Sequence, residues 1–168
     1  MKEEYTKPIR GADVDCSQFA PSSKTGDAIS PIVLLALRMI RYKGINEFVE
    51  AAQQVRSEKP NVRFVLAGMS DDGNPNAVPV AQLEQWTKDG VVEWWGRCEN
   101  MIEVIQNASI VTLPTFYPEG VHKVLIEAAE ASKPLITTDR RSCREIVRDG
   151  VNGTLIRLKT AGPWPRLF

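Results

Sequence analysis

From residue 31 onward the chain alternates between two kinds of hydrophobic pattern. IVLLAL (32–37), VRFVLAG (62–68), VVEWW (91–95) and SIVTLP (109–114) are short, near-continuous apolar runs, as expected of strands covered on both faces. Between them apolar residues recur at helical spacing. Ile45, Phe48, Val49, Ala52 and Val55 make one stripe within 44–59, and Pro60 stops it. Residues 80–88 make a weaker helix, and Met101, Ile102, Val104 and Ile105 a short one after Glu99 and Asn100. Val121, Val124, Leu125, Ala128 and Ala131 form a further stripe that Pro134 ends. LITT (135–138) reads as a strand, Ser142 to Arg148 as a last helix stopped by Gly150, and TLIRL (154–158) as a final strand. Strand and helix in alternation predict an α/β domain: a Rossmann-like, doubly wound, mostly parallel sheet with helices on both faces. The expected boundaries are a polar, irregular leading segment over 1–30, the domain over 31–157, and an irregular tail over 158–168.

Composition narrows the function. A length of 168 residues with 43% apolar content suits one domain with a real core. Lys plus Arg and Asp plus Glu balance at 21 each, so no basic face argues for nucleic acid. No apolar run approaches the ~18–20 residues that span a bilayer. MKEEYTKPIR lacks the apolar centre of a secretory signal. Cys16, Cys98 and Cys143 are far apart with no C-x-x-C, which favours reduced thiols over a disulfide frame or a zinc site. These features predict a cytoplasmic protein without a metal site. The chain has no Walker A motif, no G-x-G-x-x-G and no G-x-S-x-G, which weakens P-loop, dinucleotide and serine-hydrolase readings.

The richest chemistry lies in TFYPEGVHKVLIEAAEASKPLITTD (115–139), read as loop, helix and strand. Glu119 stands in the loop and Glu127 two turns into the helix, about 12 Å away if the segment is helical throughout. Between them the backbone amides of Gly120, Val121, His122 and Lys123 offer an anion site at a helix N-terminus. An anion-sized hole with a carboxylate on either side suits a nucleotide sugar: amides take phosphate, and carboxylates accept from hydroxyls. Glu127 has a simpler reading as the partner of Lys123 one turn earlier. His122, the only histidine, reads as a partly exposed helix-start residue or as a contact to phosphate or sugar. Arg38 and Lys43 flank the first strand-to-helix turn, where cations suit a diphosphate, or form a solvated basic loop. Asp71 and Asp72 sit among Gly and Asn residues that favour a plain turn over a metal site. Trp86, Trp94 and Trp95 read as core or edge packing. Ligands of such sheets bind beyond the carboxyl ends of the strands, where Arg38, Gly68, Gly96 and Thr115 all fall, so distant segments can share one crevice.

Several motifs, in order, carry a family resemblance. GADVDCSQFAP (11–21), RMIRYKG (38–44), FVLAG (64–68), the block from WWGRCEN (94–100) through TLPTFYPEGVHKVLIEAAEASKPLITTD, and CREIVRDGVNGTLI (143–156) resemble the C-terminal half of family-4-type retaining glycosyltransferases of GT-B architecture. The E-G-V-H-K variant is similar to enzymes that build capsule, O-antigen or other lipid-linked glycans. In such relatives a proline often stands where His122 does, and a glycine where Lys133 does.

The resemblance implies a donor-binding domain for a nucleotide-diphosphate sugar that serves as substrate, with no cofactor and no metal. It implies that Arg38 and Lys43 hold the diphosphate, that Glu119 faces the donor sugar, that Glu127 accepts from the ribose, and that Gly120 to Lys123 contact phosphate and sugar. Its partners are a glycan or lipid-linked acceptor and an N-terminal GT-B domain that supplies the other cleft wall, with peripheral association of the full enzyme at the inner membrane face. The isolated chain is expected to bind its donor without turnover. A non-catalytic nucleotide-sugar module and a GT-B-type sugar-nucleotide epimerase domain are the competing readings.

Overall fold

The computed structural model describes residues 30–71, 73–117 and 120–157. Among these residues six strands form one sheet: β1 (Ile32–Ala36), β2 (Arg63–Ala67), β3 (Glu93–Gly96), β4 (Ile110–Leu113), β5 (Leu135–Thr138) and β6 (Gly153–Ile156). Their order is β3-β2-β1-β4-β5-β6, and every pairing is parallel. This is the doubly wound order, with its switch point between β1 and β4. The connecting helices are α1 (Ile45–Glu58), α2 (Val80–Lys88), α3 (Met101–Asn107), α4 (Lys123–Glu130) and α5 (Arg141–Arg144).

The central strands are buried at consecutive positions, Leu34 to Ala36 and Phe64 to Ala67, because helices cover both faces of the sheet. Ile45, Phe48, Val49 and Ala52 are the buried stripe of α1. Fully burying side chains of the size of Ile45 or Phe48 contributes about 1.5–3 kcal/mol each. Threonine hydroxyls tie strand to strand near the carboxyl ends: Thr112 donates to the Leu34 carbonyl at 3.3 Å and Thr137 to that of Leu113 at 2.7 Å. Thr138 donates to the carbonyl of Thr115, in the segment that leaves β4.

The observed elements differ most from the expected ones in four places, and the final strand, expected over 154–158, is Gly153–Ile156. The third strand begins at Glu93 rather than residue 91, because the Val91 and Val92 amides both turn back to the Trp86 carbonyl and close the end of α2. The fourth helix begins at Lys123, not at Val121, since His122 is its N-cap in extended backbone. The last helix covers only Arg141–Arg144. Beyond it the Asn152 side chain accepts from the Arg148 amide and donates to the Ile146 carbonyl, taking up groups a longer helix needs. A 3-10 turn over Arg41–Lys43, which periodicity does not signal, joins β1 to α1. Of the tryptophans, Trp86 and Trp94 pack against the core, and Trp94 donates its indole N–H to the Gly68 carbonyl at 2.8 Å. Trp95 is exposed beside the Arg63–Glu93 ion pair at the β3 edge. The leading segment, Asp72, Pro118, Glu119 and the tail fall outside the described residues.

Candidate functional site

The first wall of the site is the turn between β1 and α1. After Ala36 the chain is held against the segment following β2: Leu37 donates to the Ala67 carbonyl and Met39 to that of Met69, each at 2.9 Å. Gly68 makes this approach possible, since an added Cβ would stand 1.9 Å from the Leu37 carbonyl oxygen. Arg38 emerges here with 71% of its side chain exposed and its guanidinium 3.3 Å from Asp71. Such an exposed pair is worth under about 1 kcal/mol and leaves the cation available. Asp71 also accepts the Asn74 amide on its carbonyl, and Asn74 accepts from the Asn76 amide, so this segment is the turn expected of it. Lys43 ends the 3-10 turn, and Gly44 follows at φ +86° as the N-cap of α1.

The second wall is the start of α4. The first amides of an α-helix have no acceptor within it, and they carry the positive end of its dipole. The His122 carbonyl accepts from Leu125 at 3.0 Å and from Ile126 at 3.4 Å, which sets the first turn. The His122 ring is buried, not partly exposed, with Nε2 3.3 Å from the Ser142 hydroxyl. Leu125 and Ala128 anchor the helix in the core, and Glu127, on another face of it, is only 8% exposed. Lys123 lies 3.5 Å from the Glu127 carboxylate, so the simple pairing is present. Burial nevertheless pushes the Glu127 carboxyl above its ordinary range, and the Lys123 charge only partly opposes this.

The two walls meet in one cavity of about 540 Å³ at the carboxyl edge of the sheet, across the switch point. Arg38, Lys43, Val121, His122, Lys123 and Glu127 all line it, together with Gly68 and Met101. Gly120 is exposed and stands outside the lining, one consequence of the later helix start. Glu119 lies outside the described residues. Two cations on one wall, with a helix N-terminus and a buried carboxylate on the other, can hold an anion and a polyol together. Sequence reasoning missed Met101, the Asp71 partner of Arg38 and the Ser142 partner of His122. Asp71 and Ser142 each follow shortly after a strand's carboxyl end, which was the available signal.

Lys133 has its own local explanation. Its ammonium donates to the Gln106 carbonyl at 2.6 Å, at the C-terminal end of α3, where a cation meets the negative end of the helix. Burial there lowers its pKa.

Comparison with known proteins agrees with this geometry. The family described as glycosyl transferases group 1 matches residues 30–163. The chain is 33% identical over 131 residues to the N,N'-diacetylbacillosaminyl-diphospho-undecaprenol alpha-1,3-N-acetylgalactosaminyltransferase of Campylobacter jejuni, covering 78% of this chain and 32% of that protein. It thus spans about a third of that relative's length. The crystal structure of Anabaena HepE in complex with UDP superposes with a TM-score of 0.73 at 23% identity, over 87% of this chain and 42% of that one. The C-terminal domain of a glycosyl transferase group 1 family protein, LpcC from Francisella tularensis, superposes with a TM-score of 0.72 at 20% identity, over 88% and 81%. The fold is one Rossmann-like half of a GT-B architecture, and the chain belongs to the glycosyl transferases group 1 family.

Proposed function

We infer that this domain holds the donor of a retaining, metal-independent glycosyl transfer, a nucleotide-diphosphate hexose. The observation that carries the reading is the single cavity lined by both the Arg38–Lys43 turn and the buried Glu127. Arg38 and Lys43 meet the diphosphate and, with the dipole of α4, offset the charge that grows on it as it leaves. The Val121 to Lys123 segment contacts phosphate and sugar. Glu127 accepts from the ribose hydroxyls, its largely desolvated carboxylate making those bonds stronger than they are in water. Glu119, assigned by its motif, faces the donor sugar. The bond from the anomeric carbon to the diphosphate breaks and the acceptor hydroxyl oxygen bonds on the same face, its proton passing to the departing diphosphate, through an oxocarbenium-like state. The acceptor is a glycan or a lipid-linked glycan, as the Campylobacter relative's name describes for that protein. A second lobe supplies the acceptor wall, so the 168 residues alone bind without turnover.

Calorimetric titration with UDP, GDP and their sugars in the presence of a chelator tests this. One nucleotide class should bind saturably, Glu127→Ala should weaken it about tenfold, and added magnesium should leave it unchanged. Failure of every nucleotide to bind, or binding indifferent to Glu127, would refute the reading.

A further inference from the structure

The turn that leaves β1 and the segment that leaves β4 touch at three points outside the sheet. The Pro114 carbonyl oxygen sits where a side chain on Gly44 would begin, 2.2 Å from the place an added Cβ would take, and only glycine fits there at φ +86°. The Phe116 amide donates to the Tyr42 carbonyl at 3.5 Å. The rings of Tyr42 and Tyr117 stack, with centroids 4.6 Å apart and planes tilted by 33°. Neither tyrosine belongs to the hydrophobic core, and Tyr117 is 39% exposed. Tyr42 immediately precedes Lys43, a cavity residue, while the segment that carries Tyr117 runs on toward α4.

The turn needs such a contact. Met39, Ile40 and Ile45 seat the two ends of the turn in the core and the Arg41 amide donates to the Asn76 carbonyl at 2.9 Å, but no residue of Arg41–Lys43 itself is buried, and a single 3-10 turn has weak hydrogen-bond geometry. An anion gripped from two loops gains affinity only if the loops are already set at the right separation. We propose that Tyr42 and Tyr117 form a positioning pair that fixes the Lys43 turn against the segment leading into α4, so that the cation and the helix N-terminus face one ligand. The pair touches no ligand itself, and its role rests on the donor-site reading. Ring stacking does the work, so the hydroxyls are dispensable.

Two readouts separate this role from that reading. Amide hydrogen exchange of the 168-residue chain without ligand should quicken at Lys43 and Gly44 in Tyr117→Ala, while the interiors of β1 and α1 keep their protection. Calorimetry with UDP and GDP as probes should show affinity falling about fivefold in Tyr117→Ala, the scale of one aromatic pair, and holding in Tyr117→Phe. In a Lys43→Ala background, Tyr117→Ala should cost nothing further, a non-additivity that general destabilisation does not produce. Unchanged exchange at the turn overturns the pair, whatever the nucleotide does. Unchanged affinity in Tyr117→Ala, or additive losses with Lys43→Ala, also overturns it. If the wild type binds neither nucleotide, the donor-site reading fails, and the exchange result alone decides for or against the pair.

Discussion

Arg38 leaves 71% of its side chain in solvent, whereas Glu127, across the same cavity, leaves 11%. The cationic wall carries its charges on side chains that stand outside the core, Arg38 before and Lys43 within a 3-10 turn none of whose residues is buried. The carboxylate wall is a helix pinned by Leu125 and Ala128, both fully buried. The two walls meet different physical demands. A cation that greets a multiply charged ligand gains from long-range attraction and loses little by being exposed and hydrated. A carboxylate that must tell one hydroxyl pattern from another has to be stripped of water and fixed in place beforehand, at a cost visible in its raised pKa. Salt-sensitive attraction is therefore expected from the soft wall and discrimination from the hard one.

The contrast breaks first on stability. Leu125→Ala removes the anchor of the hard wall and should cost about 3 kcal/mol in chemical denaturation; a loss below about 1 kcal/mol would mean that the helix is held by something else. Next comes salt. Lys43→Ala should weaken UDP binding about tenfold at low ionic strength, and the gap should shrink near 0.5 M salt, while the Glu127→Ala deficit persists. Equal salt sensitivity of the two variants would erase the distinction between the walls.

A smaller effect follows pH. Burial raises the folded carboxyl of Glu127 above its unfolded value. Between those two values the folded chain binds the proton more strongly, so this group's contribution to stability falls as pH rises through the window. Glu127→Gln should therefore melt above the wild type at neutral pH, and the difference should close as pH falls through the ordinary carboxylate range, near pH 4. A difference that stays constant from about pH 7 to pH 4 would count against a desolvated Glu127. Smallest of all, Arg38→Ala should change folding stability by no more than about 0.5 kcal/mol, because its pair with Asp71 is exposed. A larger loss would show that the soft wall is structural after all.

The sheet and its helices were largely legible in the sequence because buried parallel strands write continuous apolar runs. Residues 80–88 and LITT coincide with α2 and β5, and 32–37 overshoots β1 by one residue. What periodicity cannot show is where a backbone group finds a non-repeating partner. Asn152 cut the last helix short with two side-chain bonds, and the Trp86 carbonyl delayed β3. At the site, the convergence of Arg38, Lys43 and Glu127 followed from the strand-end rule alone. The burial of His122 against Ser142, and the stacking of Tyr42 on Tyr117, join residues 20 and 75 positions apart and leave no local trace.

Because all six strands run the same way, the described fold begins at Ser30 on the edge of the sheet away from the cavity and ends at Arg157 on the cavity edge. A five-residue strand such as β1 spans about 17 Å between those edges. The two positions are therefore natural attachment points with opposite uses. A bulky reporter or a surface tether belongs near residue 30, where it leaves the cleft clear. An environment-sensitive dye at residue 157, whose side chain is 92% exposed, would stand on the ligand side and could register a bound nucleotide optically.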